Sequence, residues 1–201
     1  MLANGTSLRD VLEPQLYTLA SRQAQDLGID LQLLSRFEPW FVATMLMSIG
    51  LSRQGYEPRF GIEQYLLTQA IRDGKEVLGV EELTTQIAVF DLLSEHDQAS
   101  FLEQALTELQ RDDTAMQQLV DAWRNGELDG LQSDLMRDFA QFPDLYERLV
   151  VERNKAWTLV LEELSSRNEV SAVIVGALHL VGADSVIELL RERGYTISEL
   201  R

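Results

Sequence analysis

SAVIVGALHLVGADSVIELLRERGYTISEL, residues 171–200, changes its hydrophobic period twice. Ala172 to Gly176 is a short β-branched apolar run, Asp184 opens an amphipathic segment that Gly194 closes, and Tyr195-Thr196-Ile197 resumes an extended pattern. That order predicts strand, turn, helix and strand, a β-α-β unit. It places His179 just past the carboxyl end of a strand, where open α/β sheets gather ligands. His179 is one of only two histidines in the chain.

Upstream, the segment IEQYLLTQAIRD carries apolar residues at helical spacing until Gly74, and Lys75 to Val80 follows as a short apolar strand. A helix ended by glycine and followed at once by a strand is the α-to-β join of a layered fold. Pro14 starts a helix that ends at Gly28, with Ser7 and Asp10 as a capping box before it and Asp30 as the cap of a short helix after it. Pro39 opens PWFVATMLMSIGL, the most apolar stretch, which reads as a core helix because it is too short to span a bilayer. From Thr84 to Arg167 the pattern is helical, with about five helices broken near His96-Asp97, Asp112-Thr114, Gly126, Gly130 and Pro143. Asp97, Thr114 and Asp144 are the expected caps. The expected fold class is α/β: a predominantly helical body packed on a small sheet of strands near 75–80, 171–176 and 195–200, all in one domain, residues 1–201.

The chain has 17 basic and 33 acidic residues, a formal charge of −16, which repels phosphate backbones and argues against nucleic acid as a partner. Its composition, 45% hydrophobic and 25% charged, is that of a chain that folds. The absence of cysteine excludes disulfides, thiolate nucleophiles and Cys-ligated metal. No run is long and apolar enough for a membrane span, and no basic-then-apolar segment opens the chain. Serine-hydrolase elbows, P-loops, dinucleotide fingerprints and H-E-x-x-H are all missing.

Four places could carry chemistry. A neutral imidazole at His179 suits a transition metal, and the alternative is a hydrogen-bonded core histidine. Glu81, just past the strand ending at Val80, could ligate metal or act as general base on a water; alternatively it and Glu82 place charge at the start of the next helix. Arg153, in VERNKAW, could clasp a carboxylate bidentately, either Glu81 or a substrate group, or make a surface ion pair. His96, in the polar run Ser-Glu-His-Asp-Gln, reads as a surface turn residue.

Beyond these single residues, VGALHLVGADSVIELLRERGYTI resembles the C-terminal signature of the TraB/GumN family. RFEPWFVATMLM, GIEQYLLTQA, DGKEVLGVEELTTQ and VERNKAW resemble that family's successive blocks, in order, so the likeness spans essentially the whole chain. It implies an α/β fold related to the ChaN-like, erythromycin-esterase-like and Tiki proteins, the last being metal-dependent proteases. It also implies a site built from two G-x-x-H motifs and an acidic residue. Gly176-Ala177-Leu178-His179 matches the second motif, Glu81 the acidic position with Gln86 completing its pattern, and Arg153-Asn154 the arginine-asparagine pair. Glu63 stands where aspartate is more usual, and Leu178 replaces a usual glycine. The first G-x-x-H motif has no counterpart, since no histidine precedes His96, and the resemblance then implies an N-terminally truncated domain.

The resemblance implies a metal-dependent hydrolase of peptide or ester bonds, incomplete as this chain stands. Glu81 and Arg153 would be catalytic, His179 and Glu81 metal ligands, and Glu63 and Asn154 substrate-binding. Zinc or manganese would bind weakly or not at all. The alternative is a non-catalytic module that binds a partner through its sheet edge and helical surface. An unpaired sheet edge predicts a homodimer, and the family resemblance suggests the cell envelope or periplasm.

Overall fold

The computed structural model describes residues 1–111 and 113–199, leaving aside the side chains of residues 113, 128, 129, 134 and 138. The chain divides into two compact units, one of Met1–Val77 with Leu92–Asp113, the other of Leu78–Asp91 with Thr114–Arg201.

In the first unit the helices Pro14–Asp26, Pro39–Arg53 and Glu95–Glu108 enclose a core that includes Ala20, Ala24, Val42, Leu46, Leu102 and Leu106. Pro39–Arg53 is the core helix its composition implied: Pro39, Val42, Ala43, Leu46 and Gly50 are buried at helical spacing. A Cβ at Gly50 would lie 2.3 Å from Leu109 Cδ2, so glycine lets the neighbouring segment approach. Gln23 Nε2 donates to Leu106 O at 2.8 Å, satisfying a buried amide and a carbonyl near a helix end together. The box of Ser7 and Asp10 forms as expected, and Asp30 caps the turn Leu31–Leu34. Helix Ile62–Arg72 also forms, but its apolar residues are exposed, Tyr65 and Ile71 among them.

The second unit contains Leu83–Asp91, Leu128–Arg137 and a long rod beginning at Pro143. The rod runs as Pro143–Tyr146, widens into a π-helical turn at Glu147–Val151, and continues as Glu152–Ser166. A 3₁₀ turn Ala177–His179 and helix Val186–Glu192 complete the unit. No described helix is long and apolar enough to cross a membrane.

The expected sheet is absent: among the described residues there is no strand, and the chain is predominantly helical. Residues 75–80, 171–176 and 195–199 follow the apolar patterns of strands yet are neither helical nor paired; Leu200 lies outside the described residues. Side-chain alternation prepares a segment for a ladder, but a strand exists only when its N–H and C=O groups meet a neighbour's. Residues 169–175 make no backbone–backbone hydrogen bond among the described residues. Glu169 lies in a bend, but from Val170 on the segment runs without one, and Ser171, Val173 and Val175, every second residue, line one groove as in an extended chain.

Several caps differ from expectation by one to three residues. Ser94, not Asp97, caps Glu95–Glu108, with Ser94 Oγ accepting from Asp97 N at 3.1 Å. His96 therefore stands exposed in that helix's first turn rather than in a loop. Ser185, not Asp184, caps Val186–Glu192. Pro143 itself, not a residue after Asp144, takes the first helical position of the rod. Gly130 falls inside Leu128–Arg137, and Thr114 inside Asp113–Asn125; Asp112 lies outside the described residues.

Candidate functional site

The rod and the turn Ala177–His179, both in the second unit, bring the candidate residues together. His179 N donates to Gly176 O at 3.0 Å and Leu180 N to Ala177 O at 3.0 Å, which closes the turn. Gly182, just beyond, has φ +85°, a left-handed conformation that favours glycine. Gly176 needs no such freedom, because a Cβ there would meet His179 Cδ2 at an ordinary 3.8 Å.

His179 is buried, 8% exposed. Its Nδ1 lies 2.7 Å from Asn154 Oδ1. The amide of Asn154 is oriented by its other end, where Nδ2 donates to Asp184 O at 2.7 Å, so Oδ1 faces the ring as an acceptor. Nδ1 must then carry the proton, and the lone pair of the neutral imidazole belongs to Nε2. Burial pushes the His179 pKa down to about 4; the Arg153 charge lowers it further and the Glu81 charge opposes. The ring is neutral at pH 7. It packs against Trp157, centroids 4.4 Å apart.

Glu81 sits at the start of the segment leading into Leu83–Asp91 and is held by two residues of the rod. Arg153 Nε donates to Oε2 at 3.0 Å and Nη2 to Oε1 at 2.6 Å, while Trp157 Nε1 donates to Oε2 at 3.1 Å. The guanidinium lies over the Trp157 ring, 4.7 Å from its centroid, and gives Nη1 to Leu149 O within the π-helical turn. The surface ion pair is thus replaced by a largely buried fork, 10% and 16% exposed.

Asn154 is fully buried, with both ends of its amide engaged inside the protein. Thr158 Oγ1 donates back to Asn154 O at 2.7 Å, one turn along. Tyr146 Oη donates to Asp184 Oδ2 at 3.2 Å, and burial first, then the Asp184 charge, push the phenol up to about 12. Glu63 stands exposed in the first turn of Ile62–Arg72, in the first unit, and takes no part in this hydrogen-bonded cluster.

The cluster fits a metal in part. An imidazole with Nδ1–H given to an amide oxygen and Nε2 carrying the lone pair is the arrangement typical of metal-ligating histidines. Glu81 accepts three hydrogen bonds on two oxygens with about four lone-pair sites between them, which leaves Oε1 room for one further contact. Among the described residues no group of three or more His, Asp or Glu is placed to hold an ion. The chain's own donor set therefore offers one prepared imidazole and one carboxylate already occupied by Arg153 and Trp157.

Trp157, Tyr146 and Asp184 were not among the site residues expected from the sequence, where Asp184 stood only as the opening of a helix. Trp157 had a signal: in VERNKAW it follows Arg153 by four positions, one helical turn, so the two share a face.

A model of the TraB/PrgY/gumN family matches residues 1–199. Among curated proteins, "Uncharacterized protein YbaP" of Escherichia coli (strain K12) is 30% identical over 181 residues, 90% of this chain and 66% of the relative. The protein of the same name from Shigella flexneri gives the same figures. An "Uncharacterized protein" of Treponema pallidum (strain Nichols) is 24% identical over 189 residues, 83% of this chain and 53% of the relative. The chain thus spans 66% of the length of the first two relatives. No solved structure matches it.

Proposed function

The chain belongs to the TraB/PrgY/gumN family, and on that premise we propose that it carries part of the centre of a metal-dependent hydrolase acting on peptide or ester bonds. His179 is a metal ligand through Nε2, Asn154 its positioning residue, and Glu81 the carboxylate that takes up a proton from a water. The observation that supports this most is the contact of His179 Nδ1 with Asn154 Oδ1 at 2.7 Å, which reserves Nε2 for a ligand.

Zinc or manganese held there supplies Lewis-acid polarisation of a carbonyl and a more acidic water. The chain's residues do the rest. Arg153 and Trp157 fix the carboxylate of Glu81 in one orientation, and the remaining site on Oε1 accepts a hydrogen bond from water. Asn154, tied to Asp184, keeps the imidazole from rotating.

The test is hydrolysis of a panel of chromogenic peptides and esters with excess zinc or manganese, comparing the native chain with His179→Ala and Glu81→Gln. Loss of a proton-transfer group should lower the rate by about 10²-fold or more. Hydrolysis that survives His179→Ala unchanged, or that is indifferent to a chelator, would refute the reading.

A further inference from the structure

We infer that residues 170–174 form a strand-pairing edge whose partner is a second copy of this chain, joined antiparallel about a two-fold axis at Ala172. The segment, Val-Ser-Ala-Val-Ile, is free of bends and largely β-branched, and its N–H and C=O groups make no backbone hydrogen bond among the described residues. Ser171 and Val173 line the groove formed with Trp157, Leu161 and Leu190, about 380 Å³ in volume, yet Val173 and Ile174 are equally exposed at 43% and Val170 is fully exposed, so apolar side chains stand uncovered on both sides. An exposed run of this kind is a ready template for another strand, and its peptide groups are satisfied by a partner that brings peptide groups of its own.

The sequence says which polypeptide fits. With Ala172 opposite the second copy's Ala172, Val170 comes opposite Ile174, so the exposed apolar side chains cover each other. Ser171 then meets Val173, and groove-facing residues meet groove-facing residues, as the pleat requires. Glu169 lies in the bend before the segment, so the ladder itself contains no charged pair. Each copy carries a formal charge of −16, so the dimer should tighten as salt rises. This inference does not depend on the hydrolase reading, because it uses neither His179 nor Glu81.

The chain has no cysteine, so a single introduced thiol reports on pairing unambiguously. Facing residues in an antiparallel pair have Cα atoms about 4.5 to 5.5 Å apart, inside the range a disulfide spans. Light scattering on the native chain at low micromolar concentration should give twice 22.8 kDa. Under mild oxidation Ala172→Cys should cross-link roughly tenfold faster than Ser171→Cys or Val173→Cys, whose thiols do not meet their own copies. Ala172→Pro removes an N–H that bonds nothing among the described residues, so it should keep the native circular dichroism while losing the dimer. A mass of one chain at every concentration and salt tested overturns the inference. So does a dimer in which the three thiols cross-link alike, since that dimer uses another face.

Discussion

Arg153 and Glu81, 72 positions apart, are joined by two hydrogen bonds of 3.0 and 2.6 Å beneath the ring of Trp157. The pair links the segment before Leu83–Asp91 to the long rod. Because both partners are largely buried, removing one leaves an uncompensated charge. Arg153→Ala should destabilise the protein by about 3 kcal/mol. Arg153→Lys should recover only part of that loss, because an ammonium is not a planar fork. Urea unfolding of the three proteins checks this; equal stability of Arg153→Ala and native would show that the fork contributes nothing.

His179 makes stability depend on pH. Its folded pKa of about 4 is below its ordinary 6.5, so between these values the unfolded chain binds the extra proton. The contribution is fully present above pH 6.5 and is lost as pH falls towards 4, by about 1.4 kcal/mol per unit. His179→Gln should flatten this part of the stability profile. An NMR titration of His179 with a midpoint near 6.5 would contradict the buried, neutral ring.

We expect weak metal affinity. His179 and Glu81 together offer fewer than the three protein ligands a catalytic zinc site usually takes. Calorimetric titration with zinc or manganese should show little tight binding. Tight stoichiometric binding that disappears in His179→Ala would mean that Glu81 exchanges Arg153 for the ion and that other donors rearrange.

The two glycines around His179 should respond differently. Gly182→Ala forces a Cβ into φ +85° and should cost about 1–2 kcal/mol. Gly176→Ala meets only an ordinary contact and should be nearly neutral. Thermal melts of both variants separate the positions; equal losses would mean that Gly176 serves something other than space.

The helices were legible because their signals are local. Gly28, Gly74, Gly126 and Gly194 all have positive φ and lie at or just beyond the helix ends where the sequence put a stop. The sheet was misread because alternation at Val173 and Val175 encodes an extended chain, whereas a ladder depends on residues far away in sequence. At the site, the fork of Arg153 and Glu81 was one of the readings open from residue type. The contact between His179 and Asn154 was not, since it depends on the 3₁₀ turn and on an amide whose other end is fixed by Asp184.

The widened turn Glu147–Val151 acts as a phase adjuster. Tyr146 and Asn154, on either side of it, both reach Asp184, one at its carboxylate and the other at its carbonyl. In an unbroken α-helix, residues eight apart point about 80° away from each other. A turn that absorbs one extra residue makes eight positions behave as seven, which reduces the offset to about 20°. Deleting a single residue inside the turn should therefore keep both contacts while turning the rod into regular α-helix throughout. Replacing the turn by regular helix at full length should swing Arg153, Asn154 and Trp157 away from Glu81 and His179 together.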